Sequence, residues 1–248
     1  MNKLQQVVIC TFLAVQVCSN AFAGPADYVY TPRVEEGERE IDFKYANAKQ
    51  QDGTRAQTTS LGLGYGVNSF WFTEVYFKRE IGDGERVSIG EWENKFQLTE
   101  TGKYPVDLGF ILEIEAPLNR TNSPYEIKMG PLLQTEFGKL QLNGNLLFER
   151  KIGKEQPDEH RFTEMGYQWQ VKYRLKREFE YGLQGMGEVG DWRNWDASNA
   201  QNHRMGPAVF GKFDIGVKQA FKYNAALLFG VSDAAPNSTF RMQAEYEF

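Results

Sequence analysis

The chain lacks the features that would make it a disulfide scaffold, a helical membrane protein or a nucleic-acid binder. Its two cysteines, Cys10 and Cys18, both lie within the first 23 residues. The rest of the chain can therefore hold neither a disulfide nor a thiolate metal site. No stretch reaches the roughly 18 apolar residues of a membrane-spanning helix. Positive charge is not in excess, with 28 Lys and Arg against 33 Asp and Glu and a net charge of -5, so the broad basic surface that nucleic acid requires is missing. What the 248 residues do contain is 14% aromatics and 24 glycines, a composition of strands and turns rather than of helices or disorder.

The first segment reads as an export address. Met1-Asn2-Lys3 gives a positive start, Val7 to Val17 an apolar run, and Ala21-Phe22-Ala23 a small-x-small cleavage site, which predicts a signal peptide over 1–23 and a mature start at Gly24. Cys18 follows Val15-Gln16-Val17 rather than the small residues of a lipoprotein box, so lipidation is not expected.

Beyond Gly24 the dominant pattern has period two. Val106, Leu108, Phe110, Leu112, Ile114 and Ala116 are apolar at alternate places, with Asp107, Gly109, Glu113 and Glu115 between them and only Ile111 interrupting the polar set. Alternate side chains of a strand point to opposite faces, so one face is oily and the other largely acidic. The pattern recurs at Phe221, Tyr223, Ala225, Leu227, Phe229 and Val231. Continued along the chain it predicts about twelve strands, near 39–48, 56–67, 70–80, 86–100, 105–116, 124–137, 139–150, 161–175, 178–189, 203–213, 215–231 and 239–248. Tight turns at Asn68-Ser69, Thr101 to Tyr104, Gly138 and Lys176-Arg177 alternate with longer polar loops at 49–55, 81–85, 117–123, 151–160, 190–202 and 232–238. That alternation is the signature of an all-β, up-and-down antiparallel transmembrane barrel over 39–248.

A weak internal repeat agrees. Met129-Gly130-Pro131 reappears as Met205-Gly206-Pro207, and Leu61, Trp92, Met129, Met165, Met205 and Met242 fall one hairpin apart. The apolar phase changes between Ile89 and Trp92 and between Phe162 and Met165, and two prolines fall inside strands, which predicts bulges or the rim at those places. Aromatics gather toward one set of strand ends (Trp71, Phe137, Tyr173, Tyr181, Phe213, Tyr246) and toward the other (Tyr45, Phe77, Tyr125, Phe148, Phe162), as two interfacial girdles would. A soluble sandwich, with apolar faces turned inward, is the competing architecture.

The last strand, Phe240-Arg241-Met242-Gln243-Ala244-Glu245-Tyr246-Glu247-Phe248, resembles the terminal assembly signal of bacterial outer-membrane β-barrel proteins. Phe240, Met242, Tyr246 and Phe248 carry the likeness. It implies an integral outer-membrane protein of porin-like type, with the barrel-assembly machinery and the lipid and lipopolysaccharide of that membrane as partners.

Twelve strands close a cylinder of roughly 12 Å backbone radius, wide enough only for a narrow bore. The polar phase offers an acidic wall of Glu91, Glu93, Asp107, Glu113, Glu115, Glu126 and Glu136 and a basic wall of Lys172, Arg174, Arg204, Lys212, Lys218, Lys222 and Arg241. Opposed walls would set up a transverse field that selects a small polar solute. The same charges can instead pair across strands and close the bore as a structural network. Ser60, Gly62, Gly64 and Gly66 leave an inward groove, and residues 24–38 are either a periplasmic tail or a partial plug.

No cofactor or metal site is expected. Loop carboxylates Asp52, Asp83, Glu85, Asp158, Glu159, Asp191 and Asp196 are either a solvated rim or ligands for divalent ions on lipopolysaccharide, and Trp192 and Trp195 either pack their loop or mark a contact. His203, with Ser198, Asp191 and Asp196 nearby in sequence, and His160 are the only candidates for a rim hydrolase acting on lipid, and they lack an informative nucleophile and base spacing. The sequence therefore points first to a porin-like diffusion channel, with a closed structural or adhesive barrel and a lipid-modifying hydrolase as the other classes.

Overall fold

A computed structural model describes residues 27–120, 123–153 and 162–248. Twelve strands form a single closed antiparallel barrel. They are β1 Arg39–Lys49, β2 Arg55–Asn68, β3 Trp71–Gly82, β4 Glu85–Gln97, β5 Asp107–Pro117 and β6 Tyr125–Phe137, followed by β7 Leu140–Ile152, β8 Glu164–Lys176, β9 Phe179–Asp191, β10 Asn202–Gly216, β11 Gln219–Gly230 and β12 Ser238–Glu247. β1 pairs with β2 on one side and with β12 on the other. No edge is left unpaired, as a sheet in hydrocarbon requires.

The alternation decides which face looks out. Leu61, Leu63, Val75, Phe77, Trp92, Leu183 and Met205 are exposed, whereas Asp42, Ser60, Glu74, Glu93, Glu113, Asn145, Gln184 and Arg241 are buried. Apolar side chains thus cover the outside and polar ones fill the inside, the inverse of a soluble sandwich. Four of the repeated positions, Leu61, Trp92, Met129 and Met205, are exposed on the even strands.

The start of β1, the end of β12 and most tight turns share one end, which is periplasmic in barrels of this kind. Two connections depart from the alternation of short and long. The β3 to β4 link at the opposite, loop end is only Asp83-Gly84, with φ of 49° and 77°. Both central residues in the left-handed region make a tight hairpin turn. At the turn end, the β4 to β5 link spans 98–106, because β4 stops at Gln97.

Of the two places where the apolar phase changes, the second is as expected, with Phe162 before the start of β8 and a register shift at Met165/Gly166, whereas the first is not a bulge. β3 and β4 pair without a shift from Trp71↔Phe96 to Gly82↔Glu85. Ile89 simply points inward, 8% exposed, while Trp92 faces out at 47%. Pro131 and Pro207 cause no bulge either. Pairing lapses beside them, yet register resumes unchanged at Leu132↔Asn145 and Ala208↔Ala226, since a missing amide donor removes one rung without adding a residue. The other register shifts fall at Gly66/Asn68, Tyr173/Lys176 and Asp214/Gly216.

Candidate functional site

Before β1 begins, residues 27–38 run up inside the barrel. At the turn end the segment is tied to β2, where Gly37 N donates to Gly66 O and Gly66 N to Glu38 O, each at 2.8 Å. Gly66 is the point of closest approach, since a Cβ there would overlap the Glu35 carbonyl. Of the inward groove on β2, the segment fills this end, while Tyr76 and Phe72 cover Gly62 and Gly64.

Farther in, side chains of the wall hold the segment by its backbone. Gln97 accepts from Val34 N at 2.8 Å, Asn145 Nδ2 donates to Tyr30 O at 3.1 Å, and Arg241 donates to Asp27 O. Successive residues of an extended segment point to opposite sides. Val29 accordingly packs on Met186, Ala208, Phe210, Ala226 and Leu228, and Tyr30 on Ile111, Leu132 and Leu147 of the other wall. Val29 is 6% and Tyr30 3% exposed, and full burial of an apolar side chain stabilises by about 1.5–3 kcal/mol. These seats are the apolar intruders on the otherwise polar phase. Ile111 is the only one that the sequence reading isolates, and the others show their purpose only when the strands are set side by side.

A belt of charge surrounds this segment. Register places Glu74 opposite Glu93, Glu93 opposite Glu113, Glu91 opposite Glu115, Glu115 opposite Glu126, and Glu149 opposite Glu164. Like charges directly opposite repel, so cations must be interleaved. Lys44 lies 3.4 Å from Asp42 and over the rings of Tyr28 and Tyr76. Lys78 bridges Glu91 and Glu115, and Lys128 reaches Glu113 at 3.3 Å and Asp27 at 3.8 Å. The Tyr28 hydroxyl donates to Glu93 at 3.1 Å. Burial, then the Glu93 carboxylate, hold its phenol well above the ordinary 10.0, and burial followed by Glu113 does the same to Tyr30.

The other sequence-derived residues are distributed more widely. Glu91, Glu93, Glu113, Glu115 and Glu126 share the belt, but Asp107 and Glu136 stand near the turn end, where Asp107 caps Gly102 N and Glu136 pairs with Arg174 at 2.8 Å. On the basic wall Lys172 meets Glu180 at 2.8 Å, Lys212 meets Glu247 at 2.6 Å, and Lys222 meets Glu245 at 2.5 Å and Glu38 at 3.3 Å. Much of each wall's charge is therefore balanced locally. Arg204 and Arg241 are buried in the bore. Lys218 is not on the wall: β10 ends at Gly216 and β11 begins at Gln219, which leaves Lys218 in the turn with φ 59°. Phe240 and Phe248 face outward, and Tyr246 stacks on Phe248 at 5.6 Å.

The His203 ring lies between the Tyr167 hydroxyl at 3.0 Å and Gln201 at 2.8 Å, and its backbone N donates to Ser232 Oγ at 2.8 Å. Ser198, Asp191 and Asp196 do not meet the ring in any of these contacts. His160, Asp158 and Glu159 fall outside the described residues. Trp192 packs edge-on against Phe148 at 6.1 Å, while Trp195 remains 60% exposed.

Tyr28, Tyr30 and Arg33 of the segment border one cavity, while a second is lined by strand and loop residues alone. The first, of about 850 Å³ toward the turn end, is also lined by Lys95, Lys172, Arg174, Lys212, Lys222 and Glu180 among others, and the second, of about 510 Å³ toward the loop end, by Gln50, Asp52, Arg55, Glu80 and Arg204.

No described protein family and no curated protein matches the sequence. Solved structures do match. The NanC porin is 11% identical with a TM-score of 0.56, covering 85% of this chain and 98% of its own. The KdgM porin in complex with disordered oligogalacturonate is 7% identical with a TM-score of 0.57, covering 84% and 98%. An outer-membrane channel from Pseudomonas putida F1 is 13% identical with a TM-score of 0.58, covering 89% and 97%. At such identities the shared property is the fold, and this chain has the twelve-stranded closed barrel of the porin-like outer-membrane proteins.

Proposed function

We propose that the protein is an outer-membrane channel for passive passage of small polar solutes, and that residues 27–34 together with the charged belt form its filter. The observation that carries this reading is the cavity of about 850 Å³ that runs beside Tyr28, Tyr30 and Arg33, bordered on one side by a segment that is not part of the sheet. Its backbone is tied to the wall as a strand would be only at residues 37–38. Between 27 and 34 it is held by a few side-chain hydrogen bonds and two apolar seats. Such a hold can be released without opening the barrel, because loosening the segment breaks no rung of the closed ladder. Solutes then meet opposed rows of charge within a narrow bore, which orient dipoles and discriminate by charge.

The leader over 1–23 directs export and is removed after Ala23, the terminal strand with Phe240, Met242, Tyr246 and Phe248 is read by the assembly machinery, and lipid with lipopolysaccharide surrounds the apolar face. Single-channel recording of the refolded chain, with and without residues 25–34, tests the channel. The intact protein is expected to give small, fluctuating currents and the shortened one larger and steadier currents. A correctly closed barrel that stays silent after the deletion would overturn the reading in favour of a structural or adhesive barrel.

A further inference from the structure

We propose that the loop end of the lipid-facing wall of β1 to β4 is a docking surface for the phosphorylated headgroup of lipopolysaccharide, with Lys49, Arg55, Arg79 and Arg86 as its phosphate ligands. This rests on the outer-membrane reading above, with the loop end outside.

On each of these strands the outward phase is apolar from the turn end to mid-strand and then changes character. β1 presents Ile41, Phe43 and Tyr45, then Asn47 and Lys49. Read in the same direction, β2 presents Leu63 and Leu61, then Thr59, Gln57 and Arg55. β3 presents Val75 and Phe77, then Arg79 with only Ile81 apolar beyond it, and β4 presents Trp92, then Ser88 and Arg86. Register brings the changes side by side: Thr59 lies opposite both Tyr45 and Arg79, Arg79 opposite Ser88, and Lys49 opposite Arg55. All four cations are exposed. The flanking strands do not change in this way. β5 stays apolar through Ile114 and Ala116, with Leu118 beside Ser88, and Phe240 of β12 lies opposite Asn47. The patch is therefore a cationic notch in an apolar surface, about 14 Å wide over three strand spacings, and it begins about 7 Å along β3 from Phe77.

A second observation is the lack of counter-charge. Like charges directly opposite repel, as Lys49 and Arg55 must, yet no carboxylate of the described residues forms an ion pair with any of the four. The acids nearby are engaged elsewhere, Asp52 with Thr54 and Glu85 with Arg120, and Glu80 turns to the loop-end cavity. Arg55 donates to Asn47 Oδ1 at 2.8 Å, which engages one of its five N–H groups. Cations at the margin of hydrocarbon are costly without an anion, and three of these are guanidinium groups, whose fork matches phosphate. Width selects the lipid. A phospholipid brings one phosphate, whereas a disaccharide headgroup with a phosphate at each end reaches both sides of the notch. Arg150 provides the contrast: it faces outward at the same end of β7, but between Phe148 and Ile152 and opposite Ile127.

Native mass spectrometry of the refolded full chain in a non-ionic detergent, with bisphosphorylated lipid A added, tests the surface without any need for ionic current. One tightly held lipid A per chain is expected. Removing two of the cations, as Arg79→Gln with Arg86→Gln, should weaken it roughly thirtyfold, while Arg150→Gln leaves it unchanged. Should that double variant fail to show the heat-modified gel mobility of a folded barrel, Lys49→Gln with Arg55→Gln carries the same expectation. Equal retention of lipid A stripped of its phosphates, equal retention of phosphatidylglycerol, or a folded double variant that binds as the parent does would each overturn the proposal. Orientation is read separately, from labelling of Thr54→Cys by an impermeant maleimide on intact cells. A labelled cysteine without lipid retention faults the docking surface alone, and an unlabelled one faults the outward placement of the loop end.

Discussion

The Tyr28 hydroxyl donates to the Glu93 carboxylate at 3.1 Å, across 65 residues of sequence, and so joins the lumen segment to the acidic wall. A hydrogen bond to a charged group contributes about 1.5–3 kcal/mol. Tyr28→Phe removes it and leaves Glu93 short of a donor in a nearly solvent-free place. The seated state is therefore expected to lose about 1–2 kcal/mol, a five- to thirtyfold rise in the released fraction. The absence of cysteine after Cys18 makes this directly measurable. A Val29→Cys probe, buried when the segment is seated, should react with maleimide correspondingly faster in the Tyr28→Phe background.

Alkaline pH should act on the same equilibrium. Burial and the carboxylates of Glu93 and Glu113 keep the seated phenols of Tyr28 and Tyr30 well above 10.0. Between 10.0 and those higher values the seated segment retains protons that a released segment gives up. Seating is thus at full strength below pH 10.0 and weakens as the pH rises beyond it. Absorbance titration of phenolate should show late-titrating tyrosines that disappear from the curve when residues 25–34 are deleted. If the two curves coincide once two fewer ordinary tyrosines are allowed for, the phenols are not buried.

Gly66 offers a steric test. A Cβ at this position would overlap the backbone carbonyl of Glu35, which cannot swing aside as a flexible side chain would. Gly66→Ala is expected to destabilise the seated segment by about 1–3 kcal/mol while the barrel still closes. The Val29→Cys labelling rate should rise, with the heat-modified gel mobility of the folded barrel unchanged.

The strands and their outward phase were legible because lipid on one side and water on the other impose period two on each strand separately. Even Ile111 showed itself as an exception. The plug was not legible to the same degree, because its seats are distributed. Tyr30 rests on Ile111, Leu132 and Leu147 from three strands, and Val29 on residues from β9, β10 and β11. Each looks like a stray apolar residue until register puts them together. Proline misleads for a related reason: within their own strands Pro131 and Pro207 predict a bulge, but whether a lost donor matters depends on the neighbour. Lys218 failed at a boundary, where Gly216 to Gln219 turn the chain and period two no longer assigns a face.

That boundary yields a paired test of the filter. Lys222 meets Glu38 and Glu245 inside the bore, whereas Lys218 occupies the turn. Lys222→Gln leaves these carboxylates less compensated, so the reversal potential in a salt gradient should shift toward cation preference. Lys218→Gln should leave it where it was. Equal shifts from both would mean that the mouth, rather than the belt, sets selectivity.

The outward phase has its own quantitative consequence. Leu61 lies near the centre of β2, 54% exposed, with Phe43 and Phe77 opposite it on the neighbouring strands. In a bilayer that position faces hydrocarbon, and Leu61→Arg should cost about 2–4 kcal/mol of folding stability. Val217 is more exposed still, at 94%, but it occupies a turn at the barrel end, where the cost of a charge falls to about 0–1 kcal/mol. Urea titration of both variants folded into lipid vesicles measures the difference. No such difference is expected in water, where neither exposed site would suffer from a charge; it arises because exposure at Leu61 is exposure to lipid and a guanidinium there loses its hydration.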